Sequence, residues 1–214
     1  MLTWADPSDI LIVGTGFNLR FLNSSLHRNA CPPVWNCVAN GQLSASRASL
    51  ESGDFSLSED WRKDRFGAIE RGENPMVLTR MKSGYAVIGD TQFLPGYCVL
   101  LAYPKVNSLE DLSLEGKANF LRDMSLLGEA VQFVCSPWRL NYSIYGNSDE
   151  FLHAHVFPRY DWEPGERKPY PVWKYPREMW VMPAVQYCDE RHLSLRQRIT
   201  EKLTDLMKTA YTSE

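Results

Sequence analysis

The run Phe151-Leu152-His153-Ala154-His155-Val156-Phe157-Pro158-Arg159 alternates histidine or aromatic with aliphatic side chains, and a period of two fits a strand and no helix. Successive side chains of a strand point to opposite faces, so His153 and His155 emerge side by side while Leu152, Ala154 and Val156 turn toward a core. Pro158 has no N–H for a sheet ladder and stops the strand, which leaves Arg159 just past the histidines, where it can meet an anion or an acidic neighbour. Two of the four histidines of the chain therefore share one surface. The outward row reads Phe151, His153, His155, Phe157, where a plain solvated face would carry Lys, Thr or Glu.

A chain of 214 residues is long enough to bury a core of its own and suits one domain with some excess. Its net charge of −3 gives no basic field for long nucleic acid, so an anionic ligand has to be held by local groups and the expected partner is a small molecule. Five cysteines, Cys31, Cys37, Cys98, Cys135 and Cys188, stand without C-x-x-C spacing, and an odd number fits no complete disulfide framework; they read as reduced core filler in a cytoplasmic protein. No apolar run reaches the ~20 residues of a membrane span, and the start lacks the order of a secretory signal.

Residues 10–17 resemble a strand entering the turn Gly14-Thr15-Gly16, but a dinucleotide fingerprint needs a third glycine where Leu19 stands. Residues 1–56 read as a loosely ordered leader. A short helix is expected from Ser58, with Trp61, Phe66 and Ile69 on its apolar face, ended by Gly72 to Pro75. A hairpin follows, Met76 to Arg80 and Tyr85 to Ile88 about Lys82-Ser83-Gly84, then the turn Phe93-Leu94-Pro95-Gly96 and a continuous apolar run from Tyr97 to Tyr103 that belongs in the middle of a sheet. Ala118, Leu121, Met124, Leu127, Val131 and Val134 recur at helical spacing up to Pro137. Leu140 to Tyr145 is a strand, and the tight Ser148-Asp149-Glu150 connection makes it the antiparallel neighbour of the histidine strand. The Pro-, Trp- and Tyr-rich segment up to Pro183 reads as an extended arm lying on the domain, and the last element as a helix with Leu195, Ile199, Leu203, Leu206 and Met207 on one face and Ser194 and Gln197 as a capping box. Strands, one long helix and strands again indicate an α+β fold with an antiparallel sheet, plus a C-terminal helix.

His153-Ala154-His155-Val156-Phe157-Pro158-Arg159 resembles the end of the motif of the histidine triad superfamily, and Gly89 to Tyr97 and Asn141 to Asn147 resemble its neighbouring segments. The likeness runs from about Met76 to Trp162 and is closest to the diadenosine tetraphosphate, or dinucleoside polyphosphate, hydrolase branch. It implies a nucleotide-binding domain over residues 57–188 with its arm, a helix and tail over 189–214, and a homodimer, for which the aromatics from Tyr170 to Trp180 offer surface. It implies His153 as nucleophile and, as nucleotide and phosphate contacts, Asp90 for ribose hydroxyls, Gln92, Asn147 and Arg159. Phe151 stands where the motif has its first histidine, and the loop before the strand is short. His155 at the third position favours hydrolysis over nucleotidyl transfer.

The chemistry follows from the residue types. A neutral imidazole is a good nucleophile near pH 7, and its attack on the α-phosphorus of a nucleotide divides one displacement into two through a nucleotidyl-histidine. His155 on the same face is placed to donate to the phosphate oxygens. No cofactor is required, and Mg2+ enters only with a polyphosphate substrate. A His-x-His pair also occurs in zinc sites, which here need a third ligand from His27 or His192; a nucleotide-binding module that senses without cleaving and a nucleoside phosphoramidase are the other readings.

Overall fold

The structure is a computed structural model and describes residues 60–212. The expectations for the leader, the Gly14-Thr15-Gly16 turn, His27, Cys31, Cys37 and the Ser58 helix start lie outside the described residues.

Five strands, β1 (Val77–Arg80), β2 (Gly84–Ile88), β3 (Cys98–Ala102), β4 (Arg139–Tyr145) and β5 (His153–Arg159), form one antiparallel sheet in the order β1-β2-β3-β5-β4. All five residues of β3 are buried, as an unbroken apolar run in the middle of a sheet requires. The histidine strand lies beside it, and β4 forms the edge.

Arg65–Glu70 forms helix α1, and the carboxylate of its N-cap Asp64 accepts the Gly67 N–H. Ahead of it Asp60–Arg62 is a single 3-10 turn. Helix α2, Leu114–Cys135, is capped by the Ser113 side chain on the Gly116 N–H and ends at Ser136 in a left-handed conformation (φ 46°), just before Pro137. Its buried face carries Phe120, Leu127, Ala130 and Val131, whereas Ala118 and Leu121, expected on that face, are exposed. Phe120 has the larger apolar payload, and the helix turns it inward at the expense of its smaller or aliphatic neighbours.

α2 covers the sheet face that bears Leu152, Ala154 and Val156, all nearly or fully buried. It comes close to β4 as well, since a Cβ on Gly128 would lie 2.1 Å from the Tyr142 hydroxyl oxygen, so a larger residue there displaces Tyr142. The arm after β5 is a chain of turns in place of an extended strap: a 3-10 turn at Val172–Lys174, the four-residue helix α3 (Glu178–Val181) and a 3-10 turn at Pro183–Val185. Val172, Tyr175 and Val185 anchor it in the core, and backbone hydrogen bonds from Gln92 to Val185 and from Tyr187 to Asp90 pin its far end.

The last helix, α4 (Asp189–Thr212), packs on α2 and β1 and buries Ile199 and Leu203. It starts before Ser194, so Ser194 and Gln197 lie inside it and form no capping box. Its first turn carries Asp189 and Glu190, which suit the positive end of the helix dipole, and His192 Nδ1 accepts the Cys188 N–H. No helix among the described residues is long and apolar enough to cross a membrane.

Candidate functional site

On the face of the sheet opposite α2, β5 presents a row of rings. His153 and His155 lie 4.8 Å apart at 80°, Phe151 lies 5.0 Å before His153, and Phe157 lies parallel to His155 at 5.5 Å. Strand pairing sets the neighbours: Tyr145 and Ser143 of β4 stand opposite His153 and His155, and Leu101 and Val99 of β3 stand opposite them on the other side. The row is not simply open to solvent. Trp173 of the arm meets His155 edge to face at 4.9 Å and Phe157 at 5.2 Å, and Trp180 stacks on Trp173 at 5.1 Å, so Phe157 is 1% exposed. Trp173 stays 40% exposed and Tyr170 55%, so the arm keeps exposed aromatic surface while Trp180 is partly covered.

Beside the rings is a cleft of about 510 Å³ between the segment Tyr145 to Asp149, the two histidines and Trp173. His153, 7% exposed, lines it. Its Nδ1 lies 2.8 Å from the carbonyl oxygen of Phe151. A carbonyl oxygen only accepts, so the neutral ring carries its proton on Nδ1 and leaves the Nε2 lone pair free. The Phe151 ring packs edge to face on Phe66 of α1 at 4.9 Å. His155 Nδ1 is 2.7 Å from the Tyr97 hydroxyl. Burial, and secondarily the neighbouring His153, push the His155 pKa down to about 4, so this ring is neutral at pH 7.

The other residues expected at the site divide. Asn147 is in the cleft, on the exposed turn that Gly146 opens. Gln92 is 1% exposed and structural: its amide nitrogen donates to the Gly89 and Tyr97 carbonyls and its oxygen accepts the Gly96 N–H, closing the turn before β3. Asp90 is held by both terminal nitrogens of Arg65, at 3.2 and 2.5 Å, and that guanidinium in turn lies over Trp61. Arg159, expected at a phosphate, has its guanidinium taken up within the chain: it donates to both Glu163 oxygens, Asn141 Oδ1 and the carbonyls of Tyr170 and Arg167. A buried guanidinium so fully matched is a tie between β5, β4 and the arm. His192 is engaged with Cys188 and stacked on Tyr187 at the start of α4, and among the described residues no three His, Cys, Asp or Glu side chains cluster as a metal site.

Tyr97, Ser143, Tyr145 and Trp173 border the histidines without having been singled out by their sequence context. Ser143 and Tyr145 follow from the register of β4 on β5 and Tyr97 from its place one residue before β3, details a single sequence does not display; Trp173 lies in a segment with no periodicity to read.

No family model matches the sequence, and no curated protein matches it. Solved structures share its architecture. A histidine triad protein from Marinobacter aquaeolei VT8 is 22% identical, with a TM-score of 0.51 over 61% of this chain and 89% of that one. One from Sinorhizobium meliloti 1021 is 20% identical, with a TM-score of 0.51 over 62% and 93%, and one from Bradyrhizobium japonicum is 18% identical, with a TM-score of 0.51 over 63% and 94%. At these identities the likeness is one of fold, and the fold of this chain is that of the histidine triad proteins.

Proposed function

We propose that this protein is a nucleotide hydrolase that cleaves a dinucleoside polyphosphate, of the diadenosine tetraphosphate kind, through a nucleotidyl-His153 intermediate. The observation that carries the reading is the 2.8 Å contact of His153 Nδ1 with the Phe151 carbonyl, which leaves Nε2 unprotonated on a ring that lines the cleft. In the first step the Nε2 lone pair forms a bond to the α-phosphorus, and the bridging P–O bond breaks with its electron pair leaving on the departing phosphate. The ring then carries Nδ1–H and Nε2–P and is cationic, a charge that the Phe151 carbonyl offsets. Water attacks the same phosphorus, the N–P bond breaks with its electron pair returning to Nε2, the water's proton passes to solvent, and neutral His153 returns. His155 offers an N–H to the phosphate oxygens while remaining uncharged, and Asn147 on the turn is a further contact. A homodimer, read out by light scattering at micromolar concentration, belongs to the same reading.

The charge around the cleft supports a second substrate class. Arg159 and Arg65 are tied to Glu163 and Asp90, and Asp149 is itself on the cleft wall. A polyphosphate gains from arriving with Mg2+, whereas a nucleoside phosphoramidate, with one phosphorus and one negative charge, needs less neutralisation. The test is a panel of dinucleoside polyphosphates with and without Mg2+ and an adenosine phosphoramidate, resolved by chromatography. His153→Ala should lower kcat at least ~1000-fold while binding of a non-hydrolysable nucleotide changes little, because a nucleophile acts in the transition state. A wild type that binds nucleotide but cleaves none of the panel, indistinguishable from His153→Ala, would leave a binding module.

A further inference from the structure

Tyr97 stands one residue before β3 on the histidine side of the sheet, and it is held unusually firmly for a residue at a strand start. Its ring stacks on Phe157 at 4.3 Å and 15°, and on His155 at 6.0 Å and 20°. Its carbonyl accepts from the Gly89 N–H and the Gln92 side chain. A Cβ on Gly89 would lie 2.2 Å from a ring carbon, so only glycine lets the ring lie where it does. Among the described residues the one partner of its hydroxyl is His155 Nδ1, at 2.7 Å.

We propose that Tyr97 is a positioning residue for His155: its O–H donates to Nδ1, which keeps the neutral ring in the tautomer with its proton on Nε2 and so presents an uncharged N–H donor to the substrate. The direction of the bond follows from the chemistry of the pair. An imidazole nitrogen is a far stronger base than a phenol oxygen, whose lone pair is delocalised into the ring, so O–H···N is the favoured polarity. The opposite arrangement, Nδ1–H to the phenol oxygen, strands a buried hydroxyl proton with no acceptor. Burial also pushes the ionisation of Tyr97 well up, so the hydroxyl keeps its proton. The two histidines then stand in complementary tautomers. The Phe151 carbonyl makes His153 an Nε2 lone pair, and Tyr97 makes His155 an Nε2–H. One ring attacks and the other donates, and the donating ring is uncharged before reaction.

The use of that donor in catalysis rests on the hydrolase reading, but the tautomer does not, so the two are tested apart. Nitrogen NMR of histidine-labelled wild-type protein without ligand, at pH 7, should show His155 with a protonated Nε2 and a bare Nδ1. Tyr97→Phe keeps the ring and its stacking and should turn this into a tautomer mixture. Gly89→Ala, which keeps the hydroxyl but displaces the ring, should do the same. With the cleaved substrate, Tyr97→Phe should lower kcat by roughly 10- to 100-fold at nearly constant KM, the pattern of a misdirected imidazole. A proton on Nδ1 of His155 in the wild type, or an unchanged tautomer in Tyr97→Phe, overturns the proposal. A wild type with the expected tautomer that turns over no nucleotide overturns the hydrolase reading and leaves the positioning role of Tyr97 standing.

Discussion

The hydrogen-bond partner of His153 Nδ1 is the backbone carbonyl of residue 151, which any residue type supplies, so a phenylalanine at position 151 leaves that contact in place. The ring of Phe151 is used elsewhere, against Phe66. Arg159 shows the converse: a cation that sequence position recommends for an anion is consumed by Glu163, with the two side chains 3% and 0% exposed. Removing one member of such a pair strands the other charge in the interior, so Glu163→Ala should destabilise the protein by about 3–5 kcal/mol in chemical denaturation; a loss under about 1 kcal/mol would show that the pair is solvated in solution. His155 sets a pH dependence. Its pKa falls from 6.5 to about 4 on folding, so between those values the unfolded chain binds more protons than the folded one. The stability it contributes is complete above pH 6.5 and is lost as the pH falls toward 4. The urea midpoint should drop across that window, and less steeply in His155→Gln, where an equal slope would count against the assignment. What was legible at this scale was the histidine row, a matter of period alone; the partners of Asp90, Gln92 and Arg159 were not, since each is decided by a residue on another element.

At the scale of elements, strands announced themselves better than helix ends. The all-apolar β3 and the antiparallel β4 and β5 pair emerge as the sequence suggests. α2 was legible as a helix, and Leu127 and Val131 of its expected face are buried, but the phase of its first half was not, because a polar residue, Asp123, sits in the middle of its buried face. That carboxylate accepts from the Ser83 N–H, the Ser83 hydroxyl and the Tyr211 hydroxyl, and so joins α2 to the β1–β2 turn and to α4. A periodicity argument counts Asp123 as solvent-facing and rotates the helix accordingly. α4 starts earlier than expected because its first turn is charged and gives no apolar signal. Asp123→Ala should cost about 3 kcal/mol by leaving several donors unsatisfied, and Tyr211→Phe less, about 1 kcal/mol, because it removes only the hydroxyl's bond to Asp123 and the long one it accepts from the exposed Lys82 N–H. Equal losses for the two variants would mean that the carboxylate holds α4 alone.

For the molecule as a whole, the site is a product of sheet order. β5 lies between β3 and β4, so Tyr97, Tyr145 and the histidines, far apart in sequence, meet on one face, and the arm then lays Trp173 across them. The tight connection after Tyr145 encodes the pairing of β4 with β5 locally, but nothing local encodes the placement of β3 and of the arm, which is why the histidine row and its β4 neighbour could be read from the sequence and Tyr97 and Trp173 could not. Every side chain placed at the cleft comes from the stretch Tyr97 to Trp173, and α1, α2 and α4 brace that stretch from residue 65 onward. Residues 1–56 carry no apolar periodicity and supply no candidate contact. A chain that begins at residue 57 keeps Trp61, whose ring lies under Arg65, and with it the hold of Arg65 on Asp90. Deleting residues 1–56 should therefore leave kcat and KM for the cleaved nucleotide within about twofold of the full chain, on the rule that tolerance of truncation follows the contacts removed. A soluble truncated protein with an unchanged unfolding midpoint but a large loss of kcat would show that the leader closes over the histidines during turnover, and a rise in KM alone would assign it to substrate binding.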